Sequence, residues 1–369
     1  MKICYLANNA IPSTVASAIQ IVKMCEALSK IDNEVSLICP NSNKIKKNVF
    51  NFYNVKTKFN IEKLNSFEKF PLGYKYYIFS IISVIRSLKY KPQIYITRNF
   101  FTAFVLILFS KKVIFEIHHD IQIESRITKF LIKFFKVLNN KNIIRIIAIS
   151  KKVKMHYLET FNLNKNKIIV LPSGSSIKTH SNFENNYSKK LNIGYFGSIY
   201  KSRGADIFLN LSKIDKNNNY FMFGDHSKFK NLNFKYSNKN LFLGGYVSYN
   251  KIPKLLKKMD IFLMPYSKKV TSGGDVGDIS KFTSPLKLFD YLSIGKVILS
   301  SKLPVLQEVI TENKNVIFIK NYENIYSWKL EIDKISKNLS KRIIISKNNY
   351  NLGKSFNLKN RAKKYLENL

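Results

Sequence analysis

FTSPLKLFDYLSIGKVILSS, residues 282–301, places a Ser-Pro pair, an amphipathic segment, a glycine and a β-branched run in immediate succession. Serine is a favoured N-cap and proline suits the first turn, where its missing N–H costs nothing, so Ser284 and Pro285 predict a helix start. Gly295 then ends the helix and Val297–Ser301 reads as a strand. The stretch is therefore a helix-to-strand unit. Solid apolar runs of this kind, rather than alternating ones, belong to strands covered on both faces, which is the mark of a parallel sheet in an α/β domain.

The same rhythm extends outward in both directions. Toward the N-terminus it predicts strands at 191–197 (LNIGYFG), 220–224 (YFMFG), 241–245 (LFLGG) and 261–265 (IFLMP), and beyond the quoted stretch at 315–319 (NVIFI). An earlier series holds KICYLA (2–7) with a helix over 16–30, VSLIC (35–39), IYIT (94–97), KVIFEI (112–117) and IIRIIAIS (143–150). Between the two series lies SGSSIKTHSNFENNYSKK (173–190), rich in Ser and Asn, which reads as a linker. At 369 residues the chain is long for one core and suited to two domains. The expected organisation is residues 1–172, a linker at 173–190, a second domain at 191–352 and a terminal helix at 353–369. Each domain is expected to be doubly wound, with ligand held at the carboxyl ends of the strands.

The formal charge is +39, from 62 Lys and Arg against 23 Asp and Glu. Such a balance fits a nucleic-acid or anionic-membrane partner. However, only seven of the basic residues are Arg, and the Lys is scattered beside abundant Asn and Ile, as the codons of an AT-rich genome would also produce. No RNP, helix-turn-helix or zinc pattern accompanies the charge, so no nucleic-acid partner is expected. Cys4, Cys25 and Cys39 sit in apolar settings without C-x-x-C spacing, arguing against a disulfide framework or zinc site and for a reducing compartment. Apolar runs such as 76–85 and 100–109 fall short of the roughly 18 to 20 residues that span a bilayer, and the start of the chain shows no signal-peptide pattern. The expected location is the cytoplasm, peripheral to the inner face of the membrane. TKFLIKFFKVLNNKN (128–142) and YKYYIFSIISVIRSLKYK (74–91) alternate bases with apolar residues, and each reads either as a face for an anionic leaflet or as a helix packed on its own sheet.

At the 284–294 helix, the amides of Leu286 and Lys287, the dipole and the Lys287 charge make an anion site, and Asp290 one turn on offers a carboxylate to hydroxyl groups. Spacing alone leaves open a plain capped helix with a solvated Asp290. The run SPLKLFDYLSIGKVILSSKLPVLQEVI (284–310) resembles the signature of family-4 retaining glycosyltransferases with the GT-B fold, in which two Rossmann-like domains face an interdomain cleft and a C-terminal helix crosses back to the first domain.

In that family two glutamates flank the phosphate-binding turn. Asp290 matches the second, which the resemblance assigns to the donor ribose; Phe282 stands at the first, leaving Asp275 or Asp278 to take its place. GYFGSIYKSRGADIF (194–208) is similar to the family's second phosphate-binding segment, with Ser198 and Arg203 at the positions of its Arg and Lys, and Lys201 nearby. LFLGGYVSYNKIPKLLKKMDIFLMPY (241–266) resembles the segment framing the base, with Gly245, Tyr246 and Val247 as backbone contacts. FEIHHD (115–120) resembles the family's E-x-H segment, which puts His118, next to His119 and Glu116, toward the transferred sugar. ISKKVKMHYL (149–158) and IIVLPSG (168–174) look like the markers ending the first domain, and SFNLKNRAKKYLENL (355–369) like the crossing helix. The family's Gly-Gly turn after the first strand is absent from NNAIPSTVASAIQ (8–20), where Ser17 and Ala18 are the small residues on the acceptor side.

The resemblance implies transfer of a sugar from a nucleotide-diphosphate donor to a hydroxyl of a glycan or lipid-linked acceptor with retention, the departing phosphate oxygen accepting the acceptor's proton. Arg203, Lys201 and Lys287 would supply the charge, and His118 belongs with them as a catalytic residue. No cofactor and no metal are expected, because ligand-spaced His, Cys or Asp clusters are missing. Two other readings stay open at this level: a basic nucleic-acid or membrane-surface binding protein, and an epimerase or degenerate transferase on the same fold.

Overall fold

Successive residues of the Ile261–Met264 strand turn to opposite faces, and both faces are apolar: Ile261 and Leu263 join one buried cluster, Phe262 and Met264 another. The same split runs along Val297–Ser301, where Val297 and Leu299 lie on one side and Ile298 on the other. A strand buried on both faces needs helices on both, and this forces the layered α/β arrangement. The computed structural model describes residues 1–42, 45–67, 69–123, 125–178, 190–225, 238–271 and 278–369. The chain forms two compact units, Met1–Pro172 with Leu358–Leu369, and Ser173–Asn357.

In the first unit the parallel strands are β1 (Lys2–Leu6), β2 (Glu34–Pro40), β3 (Asn60–Leu64), β4 (Ile94–Thr97), β5 (Val113–Ile117), β6 (Ile143–Ala148) and β7 (Ile168–Val170), in the spatial order β3-β2-β1-β4-β5-β6-β7. Helices α1 (Ala16–Ser29), α2 (Val49–Tyr53), α3 (Leu72–Ser87), α4 (Phe100–Leu108), α5 (Arg126–Phe135) and α6 (Lys151–Phe161) connect them. The order reverses at β1, so the carboxyl ends of β1 and β4 flank a topological switch point. The terminal helix joins this unit: its Leu358, Ala362 and Tyr365 complete the cluster built by Ile21, Met24 and Cys25 of α1.

The second unit carries β8 (Asn192–Phe196), β9 (Asn219–Phe223), β10 (Leu241–Leu243), β11 (Ile261–Met264), β12 (Val297–Ser301) and β13 (Ile317–Ile319), ordered β10-β9-β8-β11-β12-β13, also parallel. Its helices are α7 (Ala205–Ile214), α8 (Ile252–Lys257), α9 (Leu286–Ile294), α10 (Ile325–Lys337) and α11 (Leu339–Ser355), and α12 (Leu358–Leu366) is the terminal helix of the first unit. Residues 173–178, expected to open a linker, instead belong to the second unit. Ser175 pairs with Asn357 and Ile177 is buried among Phe262, Leu288 and Phe356.

Two expected boundaries move. Pro285 is the N-cap of α9 in extended conformation, and the helix begins at Leu286; Ser284 does not cap it, because its hydroxyl accepts the Ser173 N–H at 3.0 Å. Residues 353 to 357, expected to open the crossing helix, close α11 and the turn after it, and the terminal helix starts at Leu358.

Candidate functional site

Each of β8, β9 and β10 ends in a glycine turn, and the turns bond one to the next. Gly197 donates its N–H to Phe223 O at 3.0 Å, and Gly224 donates to Gly245 O at 2.8 Å. A Cβ on Gly224 would sit 1.8 Å from the Gly197 carbonyl oxygen, so only glycine lets the β8 and β9 turns approach this closely. Ser198 is exposed on the first turn, and its carbonyl accepts the Tyr195 hydroxyl at 2.8 Å. Tyr246 and Val247 follow Gly245, with Tyr246 exposed and Val247 packed on the neighbouring apolar cluster.

Beyond Ser198 the chain makes a 3-10 turn over Lys201–Arg203 and reaches Gly204, whose φ is +72°. A Cβ there would lie 1.6 Å from Pro265 O. Glycine thus draws the turn onto the end of β11 and fixes where Arg203 emerges. The Arg203 Nη2 donates to Thr271 O at 2.9 Å, its guanidinium faces the Tyr266 ring at 5.9 Å, and its Nε is buried without a hydrogen-bond partner. Lys201 points to solvent.

Lys287, in the first turn of α9, sends its ammonium to the same place. Nζ lies 4.4 Å from the Tyr195 ring centroid and 4.9 Å from that of Tyr266, is buried, and has no hydrogen-bond partner. It would be 3.7 Å from a Cβ on Gly197. Burial, with the Arg203 charge beside it, pushes the ammonium down to about 7. In the free protein Lys287 is therefore only partly charged at neutral pH, not the full charge expected from sequence. Two basic side chains with unused donors thus lie together under glycine turns at strand ends and beside a helix N-terminus, surroundings whose chemistry suits an anion.

Asp290 lies one turn further along α9. Its Oδ1 accepts the Ser175 hydroxyl at 2.5 Å, and burial, partly offset by that bond, raises the carboxyl to about 6. The carboxylate is thus half-buried, with one oxygen already engaged with a hydroxyl. Asp278 ties its own loop, accepting from Val270 N at 3.2 Å and Ser280 N at 2.8 Å, and these bonds outweigh a small burial penalty to hold it below the usual carboxylate range. Asp275 lies outside the described residues. Leu286 and Lys287 provide the first-turn amides, and the Leu288 N–H is taken by Pro285 O at 3.0 Å.

In the first unit, His118 and His119 follow β5. His118 Nε2 is 2.7 Å from Glu116 Oε1, and burial, together with the nearby Arg98, lowers the imidazole to about 4. His119 uses its carbonyl to accept the Tyr157 hydroxyl at 2.8 Å. Ser17, in the first turn of α1, accepts from Asn9 Nδ2 at 3.0 Å, while Ala18 is fully buried. Tyr195, Tyr266 and Ser175 were not anticipated as site residues. Tyr195 sits inside the apolar run of β8 and Tyr266 two residues beyond β11, with no local feature to mark either, and nothing local links Ser175 to Asp290, 115 residues away. Among the described residues there is no cluster of three or more His, Cys, Asp or Glu side chains arranged to hold a metal ion, and no helix long and apolar enough to cross a membrane.

Comparison with known proteins extends this picture. Residues 17–177 match the model of the family described as Glycosyltransferase Family 4, and residues 176–352 that of Glycosyl transferases group 1. An uncharacterized glycosyltransferase of Methanocaldococcus jannaschii is 25% identical over 284 residues, covering 71% of this chain and 69% of that one. HepE of Anabaena, solved in complex with UDP-glucose, superposes with a TM-score of 0.69 at 12% identity over the full length of both chains. WaaG, a glycosyltransferase involved in lipopolysaccharide biosynthesis, does so with a TM-score of 0.66 at 10% identity, covering 99% of this chain and 100% of that one. The two family models overlap at residues 176–177, a few residues past the division between the two units at 172/173, and together run from residue 17 to residue 352, and the chain belongs to the family-4 glycosyltransferases with the GT-B fold.

Proposed function

We propose that the protein transfers a hexosyl-type sugar from a UDP- or GDP-sugar to a hydroxyl of a glycan or lipid-linked acceptor, with retention, in the synthesis of a bacterial surface polysaccharide such as capsule or lipopolysaccharide. The observation that carries this reading is the pair of buried, unsatisfied cationic groups, Lys287 Nζ and Arg203 Nε, under the Gly197 turn. A diphosphate satisfies both and takes the first-turn amides of α9 as well. The UDP-glucose held by HepE on the same fold supports a nucleotide-sugar donor, and the role of WaaG supports the polysaccharide assignment.

In this reading the chemistry needs no protein nucleophile. The departing diphosphate oxygen takes the proton of the acceptor hydroxyl on the face it leaves, and Lys287, Arg203 and the helix amides stabilise the charge that develops on it. Lys201 adds charge from the exposed rim, Ser198 a neutral hydrogen bond, and Asp290 with Ser175 receives the ribose hydroxyls. Gly245, Tyr246 and Val247 frame the base. His118 bonds a hydroxyl of the transferred sugar, and Ser17 and His119 belong to the acceptor side. Protein cations supply the positive charge, and no metal or other cofactor is assigned.

A thermal-shift panel of UDP, GDP, ADP and CMP tests the donor site. One nucleoside diphosphate at about 100 times its Kd raises the melting temperature by about 5–10 °C, and Asp290→Asn loses most of that shift. Failure of all four to move the wild type removes the reading.

The acceptor arm places the protein on an anionic membrane. Helix α5, capped by Ser125, buries Thr128 and Leu131 but leaves Phe130 53% and Phe134 63% exposed, with Ile127 and Phe135 beside them. Residues 125–136 carry Arg126, Lys129, Lys133 and Lys136 and no acid. By contrast α3 buries Phe79 and Val84 against its own sheet, although Tyr74, Tyr76, Ile81 and Ile85 stay exposed. An aromatic face rimmed by bases suits an anionic leaflet, each base contributing on the order of 1 kcal/mol near the surface. The protein is expected to float with liposomes containing anionic lipid at low salt and less so at high salt. Phe130→Ser with Phe134→Ser abolishes flotation, and a wild type that stays in the pellet fraction at low salt overturns the membrane assignment.

A further inference from the structure

The Glu116 carboxylate is fully buried, and most of what surrounds it comes from far away in sequence. Oε1 accepts from Arg98 Nη2 at 2.9 Å, from Arg361 Nη2 at 3.2 Å and from the His118 ring at 2.7 Å, and Oε2 accepts the Tyr365 hydroxyl. Arg361 and Tyr365 lie on α12, 245 and 249 residues from Glu116. Arg361 is itself pinned: Nε donates to Pro172 O at 2.8 Å, Nη2 to Leu171 O at 3.2 Å and Nη1 to the Tyr365 hydroxyl at 2.8 Å. The helix end is held too, since Arg145 of β6 donates to Tyr365 O at 2.7 Å and Glu367 O at 2.6 Å.

An ionised carboxylate can only accept, so the ring nitrogen that meets Glu116 must carry a proton. If the imidazole is neutral, that assignment fixes the tautomer: Nε2 is the N–H and Nδ1 holds the lone pair. We propose that the C-terminal helix is a positioning element for His118, its Arg361 and Tyr365 holding the Glu116 carboxylate where it takes the His118 Nε2–H and turns Nδ1 into a hydrogen-bond acceptor. The group so prepared receives a hydrogen bond from a hydroxyl and does not donate one. This deepens the role given to His118 above, and its consequence for transfer rests on that reading.

The charged and titratable groups around the ring support a neutral imidazole. Glu116 of β5 favours protonation, whereas Arg98 after β4 and Arg361 of α12 oppose it; Tyr5 of β1 and Tyr365 of α12 complete the surroundings of the carboxylate, and Cys25 of α1 adjoins Arg98 and Tyr5. Burial is the largest cause, and with the two arginines it prevails over the carboxylate. Removing Arg361 takes away one of the opposing charges and lets His118 protonate at higher pH.

The test is a long-range proton–nitrogen correlation spectrum of the full-length protein labelled with nitrogen-15 histidine. There are five histidines, and the His118 signals are identified by their loss in His118→Gln. In the wild type His118 is expected as the Nε2–H tautomer, neutral at pH 6. In Arg361→Gln its protonation midpoint rises by on the order of one pH unit. In Tyr365→Phe, which removes only a hydroxyl, the Nε2–H tautomer gives way to a mixture. A wild-type His118 found as the Nδ1–H tautomer overturns the proposal, as do His118 signals indifferent to Tyr365→Phe; that arm decides if Arg361→Gln does not fold. No donor or acceptor is needed for this readout. If the spectra behave as expected while His118→Gln transfers sugar normally, the positioning stands and the role of His118 in transfer falls.

Discussion

Lys287→Met lowers kcat for sugar transfer by about 10²–10³-fold, the cost of removing one preorganised donor from the site where leaving-group charge develops, about 2.7–4 kcal/mol of activation free energy. Unlike most losses of function, this one comes with a gain in the stability of the ligand-free protein at pH 6. The ammonium is buried without a hydrogen bond, with two tyrosine rings beside it, and burial with the Arg203 charge pushes it down to about 7. The sign follows by linkage. The unfolded lysine binds its proton up to its ordinary value near 10.5 and the folded one only up to about 7, so between those pH values the unfolded state holds more protons and wild-type stability rises with pH. Lys287→Met lacks this rise, and its advantage over the wild type shrinks from pH 6 to pH 10. Bound diphosphate reverses the preference by favouring the charged ammonium, and affinity for it falls as pH climbs above 7. Thermal melts from pH 6 to 10, with and without the preferred diphosphate, together with steady-state rates, check all three. A methionine variant that is less stable than wild type at pH 6, or transfers at the wild-type rate, contradicts the assignment.

The same group shows what sequence could and could not yield. The strands at 94–97, 261–264 and 297–301 were legible because both of their faces are buried, which leaves unbroken apolar runs. β3, NIEKL at 60–64, was not: it is the edge of its sheet, half-exposed, with charges on it. Lys287 could be picked out as a cation at a helix start, and Arg203 through the resemblance of 194–208 to the family's second phosphate-binding segment. Their convergence could not, since it depends on Gly204 drawing the 201–203 turn onto β11 and on Tyr195 and Tyr266 providing a shared aromatic floor. Ser284 failed as a cap for a related reason. N-cap preference is a local rule, and the tertiary contact with Ser173 had the stronger claim on the hydroxyl. Arg361 looked like one more lysine-rich helix residue, because the carboxylate it serves lies 245 positions away.

Glu116→Gln is expected to destabilise the first unit by about 3–5 kcal/mol, because it leaves Arg98 and Arg361 buried without a counter-charge while keeping the side chain's shape. For a unit of this size that is a melting shift of roughly 6–20 °C. In the folded state Glu116 would be raised by its burial, but Arg361, Arg98 and His118 override that and hold it well below the usual carboxylate range. A depressed carboxyl contributes stability above its unfolded value and loses it as pH falls toward the folded one, so the wild-type advantage over Glu116→Gln is complete at pH 6 and declines below about pH 4.3. Stability alone does not explain why such a cluster occupies this interior. Replacing a whole buried ion cluster by apolar residues of similar volume is often neutral or stabilising, by 1–4 kcal/mol in measured cases. A variant with Arg98, Glu116 and Arg361 all changed to Met or Leu therefore recovers most of the stability lost in Glu116→Gln. It does not recover the His118 tautomer, for no acceptor remains to take the Nε2–H. Chemical denaturation of the wild type, Glu116→Gln and the apolar triple variant separates the two contributions: a triple variant as unstable as Glu116→Gln would make the network structural, whereas restored stability with a disordered His118 ring locates its purpose in the histidine.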